Sequence, residues 1–356
     1  MHCYQEGQCS AKELSFSNLI KVFKQYLRLI SYFNILTPER GRLVLAGGEL
    51  LLRKDFFSFL EKIYKYNKYY LLSILTNGSL ITKENAAKLK SLGVGAVQVS
   101  LEGLEKNNDS IRGRNAFRKT IKAIEVLLKF KNKVVVCVTL NKQNISDASS
   151  LISLCEKLGV SQLGFRRLVP IGEGKQLIKS MLQPEELKDF YLYIESKQRQ
   201  LMRKSSSLRL VGGCDESIFS PQASRPLINC GVTEGRILTI LPNGDVTACR
   251  RLPIKIGNVL EKDLLDIYYT SNKLKQLMNL NNASRICKEC LYFDACLSGA
   301  KCVSYAYFSK ISVPDPQCRR LFKKLPDPAF FKKEKDKINK KYRFHFTLMP
   351  WLFKWT

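Results

Sequence analysis

Residues 42–66 read RLVLAGGELLLRKDFFSFLEKIYKY: a short apolar run, a pair of glycines, and then apolar positions recurring every three or four residues. The first part suits a buried strand and the last suits a helix with one apolar stripe. The same couple returns in YLLSILTNG with TKENAAKLKSLG, in AVQVSLEG with FRKTIKAIEVLLKF, and in KVVVCVTLN with DASSLISLCEKLG, and QLGFRRLVP supplies a fifth strand. Five strands alternating with helices between residues 42 and 170 predict an α/β fold around a parallel sheet buried on both faces. In such sheets the working residues collect at the carboxyl ends of the strands. The polar clusters fall there: Gly47-Gly48-Glu49, Thr76-Asn77-Gly78, Ser100-Leu101-Glu102-Gly103, Thr139-Leu140-Asn141 and Arg166-Arg167.

Outward from this core the rhythm breaks at both ends. A helical pattern at 13–33, ELSFSNLIKVFKQYLRLISYF, precedes the first visible strand, so a βα repeat asks for one more strand before it. After Pro170 the segment QPEELKDFYLYIESKQRQLMRK reads as a connecting helix, and residues 205–318 are loop-rich with one hairpin signal, RILTILPNGDVTACR, turning at Asn243-Gly244. The expected division is a partial barrel over 1–175, a connecting helix over 176–204, a cysteine-rich domain over 205–318 and a tail over 319–356. The tail holds 12 Lys+Arg against 3 Asp+Glu and ends in Phe344, Phe346, Trp351, Phe353 and Trp355.

Across 356 residues there is no apolar run of 18, and no export signal is read at the start, so a cytoplasmic location is expected. The formal charge of +28 fits solvated lysines, an acidic peptide substrate, nucleic acid or an anionic membrane face. Twelve cysteines in a reducing compartment point to metal ligands or redox groups rather than disulfides. Eight lie in the loop-rich segment: Cys214, Cys230, Cys249, Cys287, Cys290, Cys296, Cys302 and Cys318. Thiolates two apart in a loop can converge on one soft metal centre, and their spacing alone leaves zinc and a [4Fe–4S] cluster both open. Cys137 and Cys155, inside a strand and a helix, read as ordinary core residues.

The pattern Cys230-x13-Gly244-x4-Cys249, then Cys287-x2-Cys290-x5-Cys296, then Asp315-Pro316-Gln317-Cys318 resembles the auxiliary-cluster domain called SPASM, found behind radical S-adenosylmethionine (SAM) barrels. Gly47-Gly48-Glu49, Thr76-Asn77-Gly78 and SLEGLEKNNDSIRG at 100–113 resemble the matching segments of radical SAM enzymes. Leu50 stands where the family usually has proline, and five residues separate Cys296 from Cys302 where three are common. The resemblance implies a partial (β/α)6 barrel lacking its first strand, followed by the small cysteine-rich SPASM domain.

The opening Met1-His2-Cys3-Tyr4 resembles the end of the family's Cys-x3-Cys-x2-Cys motif. Cys3 would be the third ligand of the catalytic [4Fe–4S] cluster, the other two lying upstream, and the chain as written is expected to be inactive for want of them. Cys9 does not match the pattern. The resemblance further implies that Gly47 and Gly48 admit the methionine part of SAM, that Glu49 accepts from its ammonium group and that Arg112 pairs with its carboxylate. Asn77, Ser100 and Glu102 would meet the ribose side, with Thr139, Asn141 and Arg166 as further candidates. Cys287, Cys290, Cys296 and Cys318 would hold one auxiliary [4Fe–4S] cluster, and Cys230, Cys249 and Cys302, with Cys214, a second. The implied activity is generation of a 5′-deoxyadenosyl radical that modifies a peptide or protein side chain, with a flavodoxin or ferredoxin as reductant. A small-molecule or haem-pathway substrate is the alternative enzyme reading. A zinc-ribbon protein whose basic tail binds nucleic acid is the non-enzymatic one; no nucleic acid is expected on the enzyme readings, and the tail could touch a membrane surface.

Overall fold

The structure is a computed structural model that describes residues 13–34, 40–212 and 230–330. Helix α1 (Phe16–Asn34) is followed by β1 (Gly41–Leu45), α2 (Phe56–Tyr64), β2 (Tyr70–Thr76), α3 (Lys83–Ser91) and β3 (Val94–Ser100). Two helices, α4 (Glu105–Arg112) and α5 (Ala116–Lys129), lead into β4 (Val134–Leu140), α6 (Ala148–Leu158) and β5 (Gln162–Arg167). Each of the five expected strands is present. All pair in parallel in the order β1-β2-β3-β4-β5.

A sixth strand, unread in the sequence, extends the sheet. Helix α7 (Pro184–Arg203) packs Phe190 against Phe165 of β5 and delivers β6 (Arg209–Val211) alongside β5, with Gln162 opposite Arg209. Leu210 N donates to Gln198 Oε1 of that helix at 2.6 Å, which pins the short strand. The connecting helix read in the sequence is a crossover between two strands of the sheet.

The expectation that both faces of the sheet are buried needs correcting. Along β4, Val134, Val136, Val138 and Leu140 are buried while Val135, Cys137 and Thr139 stay partly accessible. Helices cover one face only, as a curled, incompletely closed sheet requires. On that covered face Ile74, Val97, Val99, Leu163 and Phe165 meet Leu60, Ile63, Leu89, Ile124, Leu127 and Ile194. Each fully buried side chain of this kind contributes about 1.5–3 kcal/mol relative to exposure. The register, with Leu45 opposite Ile74, Thr76 opposite Val99, Ser100 opposite Cys137 and Leu140 opposite Arg167, brings the carboxyl ends of the strands to one rim.

Beyond residue 230 a second core forms around an antiparallel sheet of β7 (Thr239–Ile240), β8 (Asp245–Cys249) and β9 (Leu252–Asn258). The Asn243-Gly244 turn is where the sequence put it, with Gly244 at φ +86°. Short helices follow: α8 (Leu264–Thr270), α9 (Asn272–Met278), α10 (Arg285–Lys288), α11 (Phe293–Cys296) and α12 (Lys301–Phe308). Among the described residues the expected loop-rich segment therefore contains several helical turns and short helices, too brief for a 3.6-residue period to show. Helix α1 ties the two cores together. Tyr26 packs on both, Gln25 Nε2 donates to Val259 O at 3.0 Å, and Arg28 pairs with Asp263.

The tail begins by folding back, with Arg319 Nε bonded to Glu185 Oε2 at 2.6 Å and Tyr307 Oη donating to Pro326 O at 2.7 Å. Its terminal aromatic residues lie outside the described residues. No helix among the described residues is long and apolar enough to cross a membrane.

Candidate functional site

The rim after β1 is built on Glu49. Its carboxylate accepts from Thr76 Oγ1 at 2.8 and 2.9 Å and from Asn77 N at 2.9 Å, so the end of β2 holds the side chain that follows β1. Gly47 and Gly48 precede it, and a Cβ added at Gly48 would meet nothing within 4 Å. That open space is what a ligand needs to lie against the backbone. Asn77 turns its side chain onto its own loop, Oδ1 accepting from Ser79 N at 2.7 Å.

A second anchor lies after β3. Glu102 is 1 % exposed, and its carboxylate accepts from Arg112 Nη2 at 2.5 Å and from Thr139 N at 2.7 Å. Its backbone is held by Asn108 Oδ1 and Asn144 Nδ2. Gly103 is required here, because a Cβ would come within 2.6 Å of Asp147 Oδ2, the atom that accepts from Leu104 N. Arg112, expected to meet a ligand carboxylate, is thus spent in part on Glu102, yet its Nε is buried without a hydrogen-bond partner among the described residues. Ser100 ends β3 partly buried, next to Cys137 in the register.

Of the remaining candidates, Asn141 joins the Glu102 anchor through its backbone, its N donating to Asn144 Oδ1 at 2.9 Å, and Arg166 stands apart. Asn141 caps its own turn, Oδ1 accepting from Gln143 N, and Arg166 Nη1 donates to Gly212 O at 2.7 Å. The sequence reading missed Asn108, Asn144 and Asp147, whose only signal is the density of Asn and Asp just after β3 and β4. It put Arg166 and Arg167 together on the rim but gave the candidate role to Arg166 alone, whereas Arg167 is the one that forms a buried pair with Asp315.

In the C-terminal segment, Cys287, Cys290, Cys296 and Cys318 line one cavity together with Ser298, Asp315, Tyr292 and Arg320, and Cys296 also packs against the barrel core. The Ser298 hydroxyl is buried there with no partner among the described residues. Burial pushes the Cys296 thiol up to about 12, helped by Cys318 and Asp315, and the Cys318 thiol up to about 11, helped by Asp315. Empty of metal, such thiols stay protonated; a group that binds them as thiolates must supply positive charge and release protons. No three His, Cys, Asp or Glu side chains among the described residues form a group that could hold a single metal ion. Four thiols around one cavity, with a buried hydroxyl beside them, are a donor set that a thiolate-ligated [4Fe–4S] cluster could use.

Cys230 and Cys302 are buried in the second core and Cys249 packs against it. Lys301 connects the two cysteine sets electrostatically: burial lowers its pKa, opposed by Cys230, Cys287, Cys296 and Asp315. Cys155 is buried in α6, and Cys137 sits on the open face of β4. Cys3, Cys9 and Cys214 lie outside the described residues.

The model of the radical SAM superfamily matches residues 2–155, and that of SPASM, an iron–sulfur cluster-binding domain, matches residues 230–291. Mycofactocin maturase MftC of Mycolicibacterium smegmatis is 27 % identical over 333 residues, covering 89 % of this chain and 78 % of the relative. Fe-coproporphyrin III synthase of Methanosarcina barkeri is 26 % identical over 343 residues, covering 89 % and 84 %. Among solved structures, native anSMEcpe with bound AdoMet superposes with a TM-score of 0.67 at 18 % identity, covering 91 % of each chain. Streptococcus suis SuiB with bound S-adenosylmethionine gives 0.66 at 18 % identity, covering 83 % of this chain and 70 % of that one.

Proposed function

From the premise that the chain belongs to the radical SAM superfamily and carries a SPASM iron–sulfur cluster-binding domain, we propose that it modifies a peptide or protein side chain. Its cofactors are S-adenosylmethionine and [4Fe–4S] clusters. When bound and reduced, the cluster and SAM together supply a 5′-deoxyadenosyl radical able to take a hydrogen atom from an unactivated carbon.

The chain's own residues position and enclose that chemistry. Gly47 and Gly48 leave the backbone bare for the methionine part of SAM. Glu49, oriented by Thr76 and Asn77, accepts from its ammonium group. Arg112 offers its unused Nε to the SAM carboxylate while Glu102, itself held by Thr139 N, keeps the guanidinium in place. Ser100 serves the ribose side, with Asn141 and Arg166 as further rim residues. Cys3 is the protein ligand of the catalytic cluster within this sequence. Cys287, Cys290, Cys296 and Cys318 hold one auxiliary cluster; Cys230, Cys249, Cys302 and Cys214 hold another.

The observation that carries the peptide reading is the half-open inner face of the sheet. Ser73, Gln98, Ser100, Cys137 and Thr139 line up there as neutral hydrogen-bonding groups between partly accessible apolar neighbours, a surface suited to backbone amides. The likeness to mycofactocin maturase over most of the chain supports it. The likeness to Fe-coproporphyrin III synthase favours a tetrapyrrole instead. The test supplies the two motif cysteines that precede Cys3, reconstitutes the protein anaerobically and incubates it with SAM, a reductant and either any short peptide encoded beside its gene or Fe-coproporphyrin III. A mass change in one peptide, coupled to release of 5′-deoxyadenosine, is expected; turnover of the porphyrin with every peptide untouched overturns the reading.

A further inference from the structure

Arg167 ends β5 on the rim of the sheet, and its side chain is 1 % exposed. Its guanidinium forks onto Asp315, Nη1 to Oδ1 at 3.1 Å and Nη2 to Oδ2 at 2.9 Å, while Nη1 also reaches Gln317 Oε1 at 3.0 Å. Both oxygens of Asp315 take a second donor, Gln317 N at 2.9 Å and Ala300 N at 3.2 Å. Gln317 Nε2 completes the network by donating to Leu182 O at 2.8 Å, just ahead of α7. Cys318 N in turn donates to Asp315 O at 3.0 Å, and Asp315 lines the same cavity as Cys287, Cys290, Cys296 and Cys318.

A buried ion pair gains little net stability over apolar residues of the same volume, because desolvation consumes most of the attraction. What this one does provide is a fixed geometry, since five donor–acceptor contacts satisfy both partners and leave a single arrangement. It also settles a charge. An unpaired carboxylate on the wall of a cluster cavity would repel the electron added on reduction, and in a low-dielectric interior that repulsion is weakly screened.

We propose that Arg167 is a positioning residue for the auxiliary cluster of Cys287, Cys290, Cys296 and Cys318. Through Asp315 it fastens the Cys318 loop to the carboxyl end of β5 and neutralises the carboxylate beside the cluster. The barrel rim thereby sets both the placement and the reduction potential of a cluster whose cysteines all lie between residues 287 and 318, beyond the sheet. The inference rests on these four cysteines holding a cluster, and iron and acid-labile sulfide in the parent protein report that point separately.

The test compares the parent with Arg167→Gln, Asp315→Asn and the double variant, each prepared anaerobically with its clusters and titrated potentiometrically while the reduced cluster is followed by electron paramagnetic resonance. Arg167→Gln should shift the reduction equilibrium of this cluster toward the oxidised form by on the order of tenfold, about 59 mV for a one-electron couple. Asp315→Asn, which leaves the cation unbalanced, should shift it the opposite way. The double variant should return close to the parent potential while its spectrum broadens, because charge is rebalanced but the loop is no longer fastened. If Arg167→Gln does not fold, Asp315→Asn and the double variant carry the comparison. Potentials and line shapes indistinguishable from the parent in every folded variant overturn the proposal and leave the pair a purely structural joint.

Discussion

Replacing Glu102 by glutamine keeps the size of the side chain and removes its charge, at the point where β3, α4 and β4 meet. Glutamine can still accept from Thr139 N, but its amide nitrogen then faces Arg112 Nη2, donor against donor. Removing one partner of a fully buried pair costs about 3–5 kcal/mol. The Arg112 side chain is 21 % exposed and that of Glu102 is 2 %, so partial hydration of the guanidinium reduces this to about 2–3 kcal/mol. That is roughly a 30- to 150-fold loss in the folded-to-unfolded ratio. With a urea m-value of about 2–3 kcal/mol/M, the denaturation midpoint should fall by about 1 M. The assay is anaerobic urea unfolding followed by far-ultraviolet circular dichroism, run alongside equilibrium dialysis of SAM. Affinity for SAM should fall too, because Arg112 loses the group that orients it. The double variant Glu102→Gln with Arg112→Met, which replaces both partners with uncharged groups, should recover more than half of the lost stability. A single variant within about 0.5 kcal/mol of the parent would refute the claim that this pair organises the rim.

Two further outcomes are expected. Gly48→Val should leave the urea midpoint nearly unchanged, since a Cβ there touches nothing within 4 Å, yet weaken SAM binding by at least about tenfold; equal loss of both would mean that the glycine serves the fold alone. Burial raises the Cys155 thiol to about 12 from an ordinary value near 9, so its neutral form is favoured in the folded state. The stability this contributes is fully present below about pH 9 and is lost as pH rises toward about 12. Urea midpoints measured across that range should fall more steeply for the parent than for Cys155→Ala, and parallel curves would refute it.

The sequence by itself determined the alternation of strands and helices, the rim on which polar residues gather, the Asn243-Gly244 hairpin and the grouping of cysteines. These features are written in spacings of two to about ten residues, where backbone geometry and side-chain period act directly. The same local signals did not show β6, because three residues, Arg-Leu-Val, make no pattern until α7 sets them beside β5. Nor could they tell Arg166 from Arg167. Neighbours in a strand point to opposite faces, and only the folded chain shows that Arg167 meets a carboxylate 148 residues away while Arg166 reaches a carbonyl of the sixth strand's exit. The partner of Arg112 was hidden for a related reason: Glu102 lies ten residues away, but its other oxygen is committed to Thr139, 37 residues on, and that contact turns the carboxylate toward the arginine. Which atoms a buried charge meets depends on contacts between distant segments, and the tertiary structure alone decides them.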